Sequence, residues 1–252
     1  MENTAEFDAA VFKVLSKNDS GEGDNNQAGP LIPKVPWKYH QERDLHEQCF
    51  AGLRDAWALH ELDLPYMSRP ILPRSGETKT AEYTALNPRQ KIPLLQDGDL
   101  TIGESAAIVA YLANKHRTSD GGLVPSCPEL YAKWLEWCFF IVTELDSTSL
   151  YVMRRHGTNK GLAHIYGEAP EVVTKAAEYF RGQLRHVDVA LSDGRQYLMG
   201  NQFTTADILL TTCLTWAIEY GVGICDSAVP YLERVTSREG YRTGERANLA
   251  EI

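Results

Sequence analysis

No stretch of this sequence approaches the roughly 18 consecutive apolar residues that a bilayer-spanning helix needs. No membrane partner is therefore expected. Basic residues are in deficit: 25 Lys and Arg stand against 34 Asp and Glu, a net charge of −9, with no Lys/Arg stripe. That sign disfavours nucleic-acid backbones and anionic lipid surfaces. Cysteine is sparse. Cys49, Cys127, Cys138, Cys213 and Cys225 are odd in number and widely spaced, with no Cys-x-x-Cys. Such usage fits a reduced, cytoplasmic setting better than a disulfide scaffold. The seven histidines form no His-x-x-x-His or His/Cys cluster, so no metal site is expected. The opening MENTAEFDAAVF has neither a basic n-region nor a long apolar h-region, and no secretory signal is read there.

What is present is enough for a sizeable core: 43% hydrophobic and 10% aromatic over 252 residues, the size of one large or two modest domains. The most informative stretch is residues 86–116, LNPRQKIPLLQDGDLTIGESAAIVAYLANKH. Two apolar runs, residues 92–95 and 100–102, are separated by Asp97-Gly98-Asp99. Asp-Gly between β-prone runs signals a tight hairpin, since Gly accepts φ > 0 without steric cost. Glu104-Ser105 follows, and then a helical apolar pattern: Ala107, Ile108, Tyr111, Leu112. The order is strand, turn, strand, helix. A helix start at Ser105 leaves first-turn N–H groups without intrahelical acceptors, a place that favours an anion such as a ligand carboxylate. Taken alone, Ser105 also fits a plain helix cap.

Upstream, residues 1–30 read as a flexible extension, with KNDSGEGDNNQAGP at 17–30 free of apolar periodicity. Residues 10–15 fit either a short strand or a helical turn. Residues 31–40 carry two prolines, which limit them to an edge strand or extended coil. Residues 51–64 have helical spacing through Leu53, Trp57 and Leu62. An extended piece starts at Tyr66, and a short helix over 80–86 closes at Asn87-Pro88. Residues 117–128, RTSDGGLVPSCP, are the best linker candidate. Beyond them only helical patterns occur, over 129–155, 170–191, 203–219 and 229–235. Thr204-x-x-Asp207 resembles a capping box, with Phe203 and Ile208 placed as a hydrophobic staple. The nearly uncharged run that follows predicts a central, buried helix.

Five segments in this order carry a resemblance: Trp57-Ala58-Leu59-His60-Glu61-Leu62 to Pro65-Tyr66; Leu86-Asn87-Pro88-x-x-Lys91-Ile92-Pro93; Asp97-Gly98-Asp99; Glu104-Ser105-x-Ala107-Ile108-x-x-Tyr111-Leu112; and Gly200-x-x-Phe203-Thr204-x-Ala206-Asp207-Ile208. Together they resemble the cytosolic glutathione transferase family. The resemblance implies an α/β thioredoxin-like, glutathione-binding domain over 31–116, a linker at 117–128 and an all-α helical domain over 129–252. It implies that Pro93 is a cis-proline presenting the Ile92 backbone to the glutathione cysteine. Ser105 would hold the γ-glutamyl carboxylate through its hydroxyl and N–H, and Glu104 the α-ammonium. Lys91, with Lys79, would meet the glycine carboxylate. The aromatic residues of the helical half, Tyr151 and Trp216 among them, read first as core, with Tyr151 and Trp216 the candidates for lining an acceptor site between the domains. Glutathione would be the co-substrate, with no metal, and the protein a cytoplasmic homodimer.

The implied activity is conjugation of the glutathione thiol to a small hydrophobic electrophile, the chemistry of detoxification. Where the family places a thiol-activating Ser, Tyr or Cys, this chain has Ala51-Gly52, and the nearest candidate nucleophile is Cys49. Two alternatives follow: a Cys49-based thiol transferase or dehydroascorbate-reductase-like enzyme, and a non-catalytic binding module that keeps the fold.

Overall fold

The computed structural model describes residues 11–14, 50–71, 74–119, 121–158 and 160–249. Its sheet has the strand order β2-β1-β3-β4, built from β1 (Val11–Val14), β2 (Tyr66–Arg69), β3 (Leu94–Asp97) and β4 (Leu100–Gly103). β1 pairs antiparallel with β2 and parallel with β3, while β3 and β4 form the hairpin that Asp97-Gly98-Asp99 predicts. Gly98 turns it at φ +60°.

The choice left open at residues 10–15 is thus a strand, and a central one. This corrects the reading of residues 1–30 as a flexible extension, because Val11–Val14 lies inside that span. Four residues are too few to show a period-2 pattern. What makes them a strand is pairing on both edges and the burial of Phe12, which is 3% exposed.

α1 (Phe50–Glu61) and α3 (Ser105–Lys115) pack on this sheet; α2 (Ala81–Leu86) lies between β2 and β3. The Thr80 hydroxyl caps α2, accepting from the Tyr83 N–H at 3.2 Å. The remaining elements are helical. α4 (Pro128–Phe140), a π-helical segment (Ile141–Leu150) and α5 (Tyr151–His156) run on as one rod. Then come α6 (Ala163–Tyr166), α7 (Pro170–Leu191), α8 (Thr205–Glu219), α9 (Ala228–Thr236) and α10 (Glu239–Leu249). This is a thioredoxin-like unit followed by a helical one. α8 is central, as its uncharged sequence predicts, with Ile208, Leu209, Leu210 and Leu214 all at 0% exposure. No helix among the described residues is long and apolar enough to cross a membrane.

α10, EGYRTGERANL, is mostly polar, and its buried side carries Gly240, Tyr241 and Gly244 rather than a row of large apolar residues. It is held by close approach instead. A Cβ on Gly244 would lie 2.8 Å from the Trp57 backbone nitrogen. Around this contact the Trp57 and Tyr241 rings meet edge-on at 5.0 Å, and Arg238 bridges both oxygens of Glu61 at 2.8 and 2.6 Å. In an exposed helix, Gly→Ala would gain about 0.5–1 kcal/mol from propensity. Here the clash is with backbone, which cannot swing aside, so Gly244→Ala is expected to lose about 1–2 kcal/mol net. Urea unfolding of the two proteins decides it. A gain in stability would mean that α1 and α10 separate at no cost.

Candidate functional site

Two loops meet at the edge of the sheet. The first runs from Asn87 to Pro93, and its shape is set from within. The Lys91 carbonyl accepts from the Tyr83 hydroxyl at 2.6 Å and from Asn87 Nδ2 at 2.8 Å. The Ile92–Pro93 peptide is cis, as the sequence reading has it. The second loop is Gly103-Glu104-Ser105. It lies against the first because Leu94, directly after the cis bond, pairs with Gly103 across the β3–β4 hairpin.

Glu104 precedes α3 with φ +69°, a region that non-glycine residues seldom occupy and that clusters at functional sites. Its exposed carboxylate is ion-paired with the Arg89 guanidinium. Ser105, 7% exposed, opens α3. Its hydroxyl therefore sits beside the free amides of a helix N-terminus, with a carboxylate one residue away. Such a place suits a zwitterion, with donors for its carboxylate and an anion for its ammonium.

Behind Ser105 lies Arg54, in the middle of α1 and 4% exposed. Nη1 donates to the Ser105 hydroxyl oxygen at 3.3 Å and Nε to Thr212 Oγ1 at 2.8 Å. Nη2 is 2.7 Å from Asp146 Oδ2, on the π-helical segment, and donates to Cys213 Sγ at 3.4 Å. Burial opposes the guanidinium charge, but Asp146 outweighs it and Arg54 stays firmly protonated. Burial pushes the Cys213 thiol up to about 12 despite Arg54, so it is not a thiolate.

The models of the glutathione S-transferase N-terminal and C-terminal domains match residues 50–115 and 170–243. The chain belongs to the glutathione S-transferase family. It is 33% identical to glutathione S-transferases 1 and 2 of Schizosaccharomyces pombe, over 60% and 63% of its own length. It spans 64% and 69% of theirs. Among solved structures, it resembles a theta class glutathione S-transferase from Xanthomonas axonopodis pv. citri with glutathione bound (25% identity, TM-score 0.67, covering 79% of this chain and 94% of that one). A glutathione transferase family member from Pseudomonas fluorescens with two glutathione bound shares the fold at 22% identity (TM-score 0.66, 78% and 88% covered).

Of the residues singled out from the sequence, Ile92, Pro93, Glu104 and Ser105 come together at the meeting of the two loops, and Lys91 is exposed beside them. Lys79 is exposed at the end of the 3-10 turn Glu77–Lys79, before α2. Tyr151 is half-buried at the start of α5, with Arg155 4.9 Å over its ring. Trp216 requires a correction. It is 5% exposed and its ring stacks on Phe50 at 5.3 Å, so it is core and offers an acceptor substrate almost no surface. Cys49 lies outside the described residues. The residues that open α1, Phe50, Ala51 and Gly52, have no side-chain donor for a thiolate. Sequence reasoning also passed over Arg89 and Arg54. A signal for Arg54 existed: Arg54-Asp55 is the one charged interruption in FAGLRDAWAL, an otherwise uncharged helical run.

Proposed function

We propose that this protein is a glutathione transferase, which binds glutathione at the Gly103–Ser105 corner and joins its thiol to a small hydrophobic electrophile. The observation that carries the reading is Ser105, a buried hydroxyl at a helix N-terminus with the Glu104 carboxylate next to it. Ser105 donates its O–H and N–H to the γ-glutamyl carboxylate, and Glu104 takes the α-ammonium in competition with Arg89. The Ile92 backbone faces the cysteine residue of the peptide, and Lys91 and Lys79 meet the glycine carboxylate. The similarity to glutathione S-transferases 1 and 2 of Schizosaccharomyces pombe supports the same chemistry. Transfer at neutral pH needs the thiolate. Tyr151 is the surviving candidate for the acceptor side.

The reading extends to a cytoplasmic homodimer with a part in detoxification. Cys127, Cys138, Cys213 and Cys225 are free thiols, which suits a reducing compartment. The Phe139 ring on α4 is 64% exposed, the kind of aromatic surface that subunit contacts cover.

Calorimetric titration with glutathione tests the binding. Ser105→Ala is expected to weaken it about tenfold, the loss of one hydrogen bond to a charged group. Absence of binding by the wild type at millimolar glutathione would sink the proposal. Conjugation of an aryl halide, with and without Cys49→Ala, separates transfer through glutathione alone from a Cys49-based reaction.

A further inference from the structure

Ser105 is held by a side chain that the sequence pattern does not connect to it. A hydroxyl has one proton to donate and two lone pairs to accept with. In Ser105, Arg54 Nη1 takes up a lone pair at 3.3 Å. The proton must then point away from the guanidinium, and no described residue accepts it. Accepting from a cation also polarises the O–H and makes it a stronger donor. The guanidinium has no freedom to turn, because its other nitrogens are bound by Thr212 at 2.8 Å and Asp146 at 2.7 Å, both in the helical unit.

The anchors come from far along the chain. Thr212 lies on the buried face of α8, the central helix. Asp146 rides on the π-helical segment, where the Ser149 hydroxyl returns to the Glu144 carbonyl five residues back at 2.6 Å. π-helical turns are rare and tend to mark functional positions. The α3 corner and the helical unit thus share one buried cation.

We propose that Arg54 is a positioning residue for the anion site: seated by Asp146 and Thr212, it fixes the Ser105 hydroxyl as an outward-pointing donor. The inference rests on the reading that Ser105 receives the glutathione carboxylate. A purely structural Arg54 would hold α1 against α8 and the π-helical segment, and its loss would affect ligand binding regardless of Ser105. A positioning Arg54 acts through that hydroxyl alone.

Glutathione affinity, measured by calorimetry on the full chain, separates the two in a double-mutant cycle of Arg54→Met and Ser105→Ala. Arg54→Met is expected to weaken binding about tenfold in the wild-type background and less than about twofold in the Ser105→Ala background. An equal loss in both backgrounds, or no loss in either, overturns the inference. Asp146→Asn keeps the volume but removes the charge that seats the guanidinium, and covers the case in which Arg54→Met does not fold. It should weaken binding several-fold with Ser105 present and leave Ser105→Ala unchanged; equal effects in the two backgrounds overturn the inference as well. If the wild type binds no glutathione, the functional reading fails and this inference with it. If the wild type binds and the cycle is additive, only the inference fails.

Discussion

Asp207→Ala is expected to cost about 3–5 kcal/mol of stability, at the far end of what single substitutions do. Asp207 is fully buried at the start of α8. Its Oδ1 accepts from the Leu198 N–H at 2.8 Å and the Tyr231 hydroxyl at 2.9 Å. Its Oδ2 accepts from the Thr204 N–H at 2.8 Å and the Thr204 hydroxyl at 3.1 Å. One carboxylate thereby joins the turn before α8, the first turn of α8 and α9. Truncation strands these donors in a dry interior, at about 1–3 kcal/mol for each that finds no new partner. It also removes the helix cap, worth about 1 kcal/mol. Urea unfolding should show the midpoint falling with the slope unchanged. A loss below 1 kcal/mol would mean that water enters and replaces the carboxylate.

The same residue bears on pH. Burial pushes its carboxyl from 3.8 up to about 6, against the pull of its hydrogen bonds. Between those values the folded protein holds a proton that the unfolded chain has released. Stability contributed by this group therefore falls as pH rises through that window.

Asp55→Asn is expected to act in the opposite direction, raising stability by about 2–4 kcal/mol at neutral pH. Asp55 is at 0% exposure on α1, and neither of its carboxylate oxygens has a hydrogen-bond partner among the described residues. Burial drives its pKa well above the ordinary carboxyl value, and the neighbouring Arg54, committed to Asp146, draws it back only in part. The proton balance has the same sign as for Asp207. Folding takes up a proton above the unfolded pKa, so stability falls by up to about 1.4 kcal/mol per pH unit until the folded pKa is reached. An amide does not titrate. Wild type and Asp55→Asn should therefore melt at similar temperatures near pH 4 and diverge as pH rises, the variant melting higher. Melting curves that stay parallel from pH 4 to 8 would show that Asp55 does not carry this cost.

The elements read correctly in advance are those whose causes lie within a few residues. The β3–β4 hairpin needs only Asp97-Gly98-Asp99 between two apolar runs. α7 follows from its apolar spacing over Pro170–Leu191, with Pro at the first turn. The α8 cap needs Asp207 three residues after Thr204. The Glu104-Ser105 corner was legible for the same reason, since a helix start with free amides is a local event.

What the sequence did not disclose depends on partners far along the chain. Val11–Val14 is a strand because β2 and β3 flank it, across more than 50 residues. α10 sits where it does because Gly240 and Gly244 admit it against α1, a contact that its own mostly polar stretch does not announce. From the sequence Trp216 reads first as core and second as pocket lining, and the Phe50 ring stacked on it decides for core.

By itself, then, the sequence determined the hairpin, the starts of α3, α7 and α8, the family and the residues that form the Ser105 corner, through spacing, capping and short motifs. Only the tertiary structure decided what stands behind that corner. Arg54 meets Ser105 across 51 positions and Thr212 across 158. No local rule reaches so far, because the free energy that buries a charge is set by the groups that surround it after folding.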